Sequence, residues 1–419
     1  MADRKVIEPD LEFIRRVQAA GGDTLKKCYQ CATCSTVCEL SPVDKPFPRK
    51  EMLWAQWGMK DELLSDPDIW LCHQCNDCTT RCPRDARPGD VLAGIRDYIY
   101  ESFTFPRFMG KALASPKALP LLLLLPALIV LALIFGNMAV NGGQPAAHHE
   151  DFMVPTSIGG YFQSEHVMLT TFIPAGQTEM LFIAGNILIF LIAGIGLFRF
   201  WKGLNHGAAL PGGPGFISAL ISTIIEIVTH KRFAECGQNR PRRIAHLLVM
   251  YGFIGAALTA GLALTFSVIF GHMLHLEIAS LSPYGPFHPI KILGWVSGSA
   301  IMIGSLMMVI RRSNKSDDVG ADGYPDKLFL WMVFLVGATG MFSWMFRALD
   351  VHLIAYPMYY IHIVVVFFIL WYMPYSKFAH MLYRTLALVW ARQHKRVLGR
   401  DGSVTPAPQV IEEKAETAA

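Results

Sequence analysis

Eight cysteines stand in two short runs, Cys28, Cys31, Cys34 and Cys38, then Cys72, Cys75, Cys78 and Cys82, each with the spacing C-x2-C-x2-C-x3-C. Two-residue gaps let three thiolates wrap one face of an iron–sulfur cubane from a single tight loop. The fourth cysteine, expected to start a helix pointing away, reaches the other cluster. The spacing therefore predicts one [4Fe–4S] cluster on Cys28, Cys31, Cys34 and Cys82, and a second on Cys72, Cys75, Cys78 and Cys38. A lone C-x2-C fits zinc or a redox dithiol, whereas two complete runs point to clusters. His73, beside Cys72, reads as a hydrogen-bonding or surface residue, because four thiolates already complete each site. Cys236 stands alone.

Histidines in apolar segments are the second set of candidate ligands, since ionisable groups there are functional by default. His362 and His380 are 18 residues apart. On one continuous helix that is about five turns, which puts both on one face, roughly 27 Å apart along the axis. One histidine near each side of a bilayer is what two stacked bis-histidine haems need. His246, followed by Gly252, Gly255 and Ala256, pairs best with His380, the small residues giving a porphyrin room and Arg242 and Arg243 meeting its propionates. For His362 the candidates are His272, His275 and His288, of which His288 is preferred as carried inward by the fourth apolar segment. Lys291 either snorkels to the interface or meets a haem propionate or quinone oxygen.

These ligands need an all-α framework. The chain has 419 residues, 53% of them apolar and only 17% charged, too apolar for an ordinary soluble protein. The bias is uneven. Six segments, roughly 119–139, 179–201, 244–271, 287–310, 328–346 and 353–375, are each long enough to span a bilayer. Segments 140–178 and 272–290 contain no Lys or Arg, while 199–243, the turn at Arg311, Arg312 and Lys315, and the chain beyond Lys377 are basic. Positive residues accumulate on the cytoplasmic side, so both termini are expected there, and the charged N-terminus shows no apolar signal segment. Asp10–Ala20, Lys50–Trp57 and Val91–Ser102 read as amphipathic head helices. The expected organisation is a cytoplasmic two-cluster ferredoxin domain (1–105), an interfacial linker (106–118), a six-helix transmembrane haem b and quinone domain (119–398) and a disordered tail (399–419). No basic block suggests nucleic acid.

The head, through KKCYQCATCSTVC and the WLCHQCNDCTTRCP run with RPGDVLAGIRDYIYE after it, resembles the C subunits of heterodisulfide reductase. Pro83 follows Cys82 as in bacterial ferredoxins. The membrane part resembles the cytochrome b subunits of respiratory nitrate reductase (gamma subunit) and of membrane heterodisulfide reductase. That likeness carries over His246, His362 and His380 as haem ligands, with Ala256 where the nitrate reductase pattern has a second histidine. The two parts in one chain closely resemble the C subunits of quinone-interacting membrane-bound oxidoreductases. The resemblance implies cytoplasmic flavin and iron–sulfur partner subunits similar to heterodisulfide reductase A, and electron exchange between menaquinone and adenylylsulfate (APS) reductase in dissimilatory sulfur metabolism.

The expected function is thus a membrane electron wire, with quinone at one end, haem b and two [4Fe–4S] clusters between, and soluble partners at the other. No G-x-G-x-x-G fingerprint is present, so the soluble substrate belongs to another chain. The alternatives are a subunit serving a heterodisulfide or sulfite-reduction trisulfide, and a non-catalytic membrane redox anchor or sensor.

Overall fold

The computed structural model describes residues 8–42, 45–146, 149–206, 208, 210–230, 240–266, 284–285, 287–314, 320 and 323–396. The tail expected from 399, Cys236, His272 and His275 lie outside them. The fold is helical, with one small hairpin of Pro145–Ala146 against His149–Met153.

Among the described residues, six helices are long and apolar enough to cross a membrane: Pro116–Asn141, Ala175–Leu204, Arg242–Leu264, Pro289–Ser313, Tyr324–Ala348 and His352–Trp371. Large apolar side chains such as Leu121, Phe190 and Phe198 stay exposed on them, as a surface solvated by lipid tails requires. Without a hydrophobic force between helices in lipid, close approach depends on small residues. A Cβ on Gly252 would stand 2.7 Å from Ile301 and 2.9 Å from the Ser297 carbonyl, and one on Gly304 would stand 2.7 Å from the Ala245 carbonyl. The third and fourth spans therefore lock backbone to backbone. Gly337 repeats this between the fifth and fourth spans, 2.9 Å from the Met302 amide.

The chain packs as two compact units that do not follow chain order. One combines the residues up to Arg96 with Trp201–Cys236 and the chain from Arg384. The other combines Asp97–Phe200 with Gly237–Tyr383. In the first unit, the helix Leu11–Val17 starts at Asp10, whose carboxylate accepts from the Phe13 amide at 2.9 Å. Arg49–Gln56 and Pro88–Phe103 form as the apolar periodicity predicts. Two helices not anticipated as parts of this unit join it. Phe216–Thr229 lies inside a segment read only as a basic connection, and His380–Gln393 follows the last span. They are stitched by Arg392 to Glu226, by the Gly213 amide to the Gln393 carbonyl at 2.7 Å, and by Trp390 to Asn205 at 3.2 Å. A head of under 100 residues buries too little surface alone, and these helices add buried Leu388 and Val389.

A buried charge cluster lies in the same unit. Lys50 stands 3.1 Å from Glu51, 3.2 Å from Asp66 and 2.7 Å from Asp68, and Arg396 reaches Asp68 at 2.8 Å. Burial, with the neighbouring carboxylates, holds Glu51 well above the usual carboxylate range and raises Asp66.

Candidate redox-cofactor sites

Each cysteine run is shaped by two left-handed residues flanking its second cysteine. Gln30 and Ala32 have φ of 61° and 68°, and Gln74 and Asn76 have 52° and 67°. Non-glycine residues reach that region only under constraint. The changes of hand turn successive amides toward one concave face, the kind of nest that receives phosphates and iron–sulfur groups. A short helix follows in each run, Thr33–Val37 and Asp77–Thr80. Cys34 and Cys78 therefore sit in first turns. Cys38 is the C-cap of the first helix, and Cys82 follows the C-cap Arg81 of the second. The fourth cysteine ends a helix rather than starting one, which corrects the expectation. The three-residue gap is close to one helical turn, and that turn carries the fourth thiol away from its own loop.

Cys38 lines one cavity with Cys72, Cys75 and Cys78, closed on its apolar side by Phe47 and Leu92. Cys28 has Cys82 and Cys31 as its electrostatic neighbours, and Cys34 has Cys28 and Cys31. Amides point at sulfur: Gln74 N–H donates to Cys72 Sγ at 3.3 Å and Ala86 N–H to Cys82 Sγ at 3.3 Å. Burial pushes the Cys34 thiol up to about 11 and the Cys38 thiol up to about 12, with nearby thiols adding to the effect. Four thiolates crowded around one cavity are unfavourable unless a metal centre carries the compensating charge. Their chemistry, nest and amide donors fit a [4Fe–4S] cubane. The two sites differ in access at the second cysteine: Cys31 is exposed and Cys75 is half-buried, while each run has one buried cysteine, Cys34 and Cys78.

The histidines are arranged less simply. His362 lies within the sixth span, but His380 does not. The span ends at Trp371, two 3-10 turns intervene (Met373–Tyr375 and Lys377–Ala379), and His380 opens a new helix. Pro374 removes a backbone donor where the helix would continue. The one-face, five-turn relation between His362 and His380 is thereby overturned. His380 instead has its ring fixed by Nδ1 bonding to the Lys377 carbonyl, the orientation that outer-shell partners give metal-ligating histidines. Phe378, two residues before it, meets Phe253 of the third span edge-on at 5.0 Å, and His246 lies on that same helix. Gly252 and Gly255 do not open a porphyrin bed. Their faces are taken by Ile301 and Ser297.

His362 leans on the fifth span. A Cβ on Gly340 would come within 2.8 Å of its ring, and Thr339 Oγ1 lies 3.1 Å from its Nδ1. The Thr339 hydroxyl donates to the Leu335 carbonyl at 2.5 Å, so its oxygen accepts and Nδ1 carries the proton. His288 is not carried inward. It is the N-cap of the fourth span, stacked on Tyr284 at 4.4 Å. The fourth and sixth spans run parallel by alternation. His362 is ten residues into its helix, about 15 Å from the end at His352, while His288 sits at the very end of its own. Lys291, in the first turn of the fourth span, lies near enough to Arg347 for the two to repel, and no carboxylate pairs with it among the described residues.

Thr339, Gly340 and Arg384 escaped the sequence reading. A glycine within a span is a weak sign of close approach. Arg384 gave none, because its partner His73 is 311 residues away.

Residues 24–86 match the family model of a 4Fe-4S dicluster domain, and residues 172–401, more than half of the chain, match that of Citrate utilization protein B. The C subunit of the H(2):CoB-CoM heterodisulfide,ferredoxin reductase of Methanothermobacter marburgensis is 41% identical over 88 residues, which are 21% of this chain and 48% of that relative. A protein of Archaeoglobus profundus, named as similar to the C subunit of heterodisulfide reductase, is 33% identical over 116 residues, 27% of this chain and 62% of the relative. The E subunit of the dihydromethanophenazine:CoB--CoM heterodisulfide reductase of Methanosarcina thermophila is 26% identical over 203 residues, 45% of this chain and 71% of the relative. The chain thus spans about half the length of the first of these. No solved structure matches. The head is similar to the C subunits of heterodisulfide reductases, and the membrane part to the E subunit of one.

Proposed function

The chain belongs to the family of Citrate utilization protein B, and from that premise we propose that it is the membrane electron-transfer subunit of a quinone-linked oxidoreductase, carrying two [4Fe–4S] clusters and haem b. The observation that carries this reading is the gathering of Cys38 with Cys72, Cys75 and Cys78 around one cavity. Cys28, Cys31, Cys34 and Cys82 hold the other cluster. The clusters and haem supply one-electron chemistry when bound. The chain's residues set its terms: Gln74 and Ala86 donate amides to ligand sulfurs, and His246 and His380 ligate haem, with Lys377 holding the His380 ring. His362 offers a second ligand whose proton is held on Nδ1 by Thr339. Menaquinone is the lipid-soluble substrate, with Lys291 beside Arg347 as candidate donors to its oxygen. The basic segments support a topology with both termini in the cytoplasm. Flavin and iron–sulfur subunits resembling heterodisulfide reductase A, and APS reductase beyond them, are the partners that the family resemblance supports.

A second reading is favoured by the likeness of the membrane part to the E subunit of a heterodisulfide reductase: the same wire serving a heterodisulfide or trisulfide reductase. Pull-down of the native complex separates them by the partner recovered, APS reductase or a disulfide-reducing protein. The cofactor reading is tested on purified protein by iron, acid-labile sulfide and haem counts. His380→Ala is expected to lose one low-spin haem b and slow quinol-driven cluster reduction, with the [4Fe–4S] signals intact. Full haem content with an unchanged spectrum rejects His380 as a ligand.

A further inference from the structure

The two cysteine loops match position for position, yet their outer partners differ. Tyr29 and His73 each follow the first cysteine of their run, and Gln30 and Gln74 each precede the second. In the first run, Gln30 Nε2 donates to Gln56 Oε1 and to Cys28 Sγ, both at 3.4 Å, and Arg49 is the cation that acts on Cys28 and Cys31. Tyr29 carries Arg84 at 3.1 Å, in an exposed contact that water screens. In the second run, Gln74 accepts from Arg96 at 3.3 Å. Arg384, from the helix His380–Gln393, lies 2.8 Å from His73 Nε2 and 3.2 Å from its Nδ1. His73 and Gln74 both line the cavity shared by Cys38, Cys72, Cys75 and Cys78, whose one acidic lining residue is Asp77.

We propose that Arg384 is a positioning residue for the cluster of the second run: through His73 it fixes the loop and sets a permanent positive charge beside that cluster, raising its reduction potential. This rests on the cluster reading given above. One-electron reduction adds one negative charge to a cluster and its four thiolates. A fixed cation nearby stabilises that state more than the oxidised one, and more strongly where water is excluded. A guanidinium keeps its charge at all working pH values, so the bias is not titrated away.

The test is an anaerobic redox titration of the full-length protein with dithionite as reductant and paramagnetic resonance as readout. The signal lost in Cys75→Ala identifies the second-run cluster. Arg384→Ala is expected to move that cluster to lower potential and leave the other in place. Arg384→Gln, which keeps a hydrogen bond to His73 without the charge, is expected to shift it in the same direction, while Arg384→Lys restores most of the wild-type value. Unmoved potentials in Arg384→Ala and Arg384→Gln, or equal shifts of both clusters, overturn the proposal. Wild-type protein binding fewer than two [4Fe–4S] clusters overturns the cluster reading itself, a distinct outcome.

Discussion

The cysteine head and the histidine-bearing spans both offer soft-metal ligands, but they assemble them by opposite routes. In the head, three ligands of each set lie within seven residues, and one short helix delivers the fourth. Local backbone geometry at Gln30, Ala32, Gln74 and Asn76 does most of the work. The histidines come from different helices: the His362 ring is set by Thr339 and Gly340 of a neighbouring span, and the His380 ring, beyond the last span, by the carbonyl of Lys377. Dense local spacing makes a site readable from sequence. A site built across helices depends on breaks, depths and helix faces that spacing alone does not fix.

The largest expected effect tests the crossed assignment in the head. Cys38→Ala should abolish the second-run cluster and preserve the first, read by paramagnetic resonance and iron content. Loss of the first-run cluster instead would falsify the pairing and make each run a self-contained site.

The next effect concerns what holds the head together while its clusters come and go. Lys50→Met leaves Glu51, Asp66 and Asp68 short of their shared cation. Breaking a buried pair in this way costs about 3–5 kcal/mol, visible as a lower unfolding midpoint in calorimetry. The pH dependence has a definite sign. Glu51 is raised well above its ordinary value of 4.5, chiefly by burial. Its proton is then bound more tightly in the folded state, so its contribution is full below about 4.5 and is lost as pH rises toward the shifted value. The Lys50→Met deficit should therefore be larger at pH 8 than at pH 5. An equal deficit at both would mean that Glu51 keeps one protonation state from pH 5 to pH 8.

A smaller effect probes the packing of the spans. Gly252→Ala places a methyl against the Ser297 carbonyl and Ile301. Such overpacking costs about 1–3 kcal/mol, measurable by unfolding in detergent with head clusters intact. Gly255→Ala meets Ser297 Oγ, a side-chain atom that can rotate away, and should cost less. The subtlest outcome is expected at Gly340→Ala: stability nearly unchanged, but a perturbed spectrum for any haem that His362 ligates, because the new methyl displaces the ring. Unaltered optical and resonance spectra would remove His362 from the ligand set.

Much of this architecture was legible without coordinates because its determinants are local or periodic. Six runs of about twenty apolar residues can only be helices in a bilayer, since every backbone group must be satisfied within its own segment. Two C-x2-C-x2-C-x3-C runs define their loops within a dozen residues each. What spacing could not supply was decided by packing. The break between Trp371 and His380 turned an apparent single helix into two and removed the shared face of His362 and His380. The small residues after His246 serve a helix seam, because in lipid close van der Waals contact, not room for a ring, is what Gly252 and Gly255 provide. His288 became a cap instead of a buried ligand. Arg384 reached His73 across 311 residues, a contact with no periodic or local trace, because only the folded chain brings the helix after the last span against the loop of Cys72.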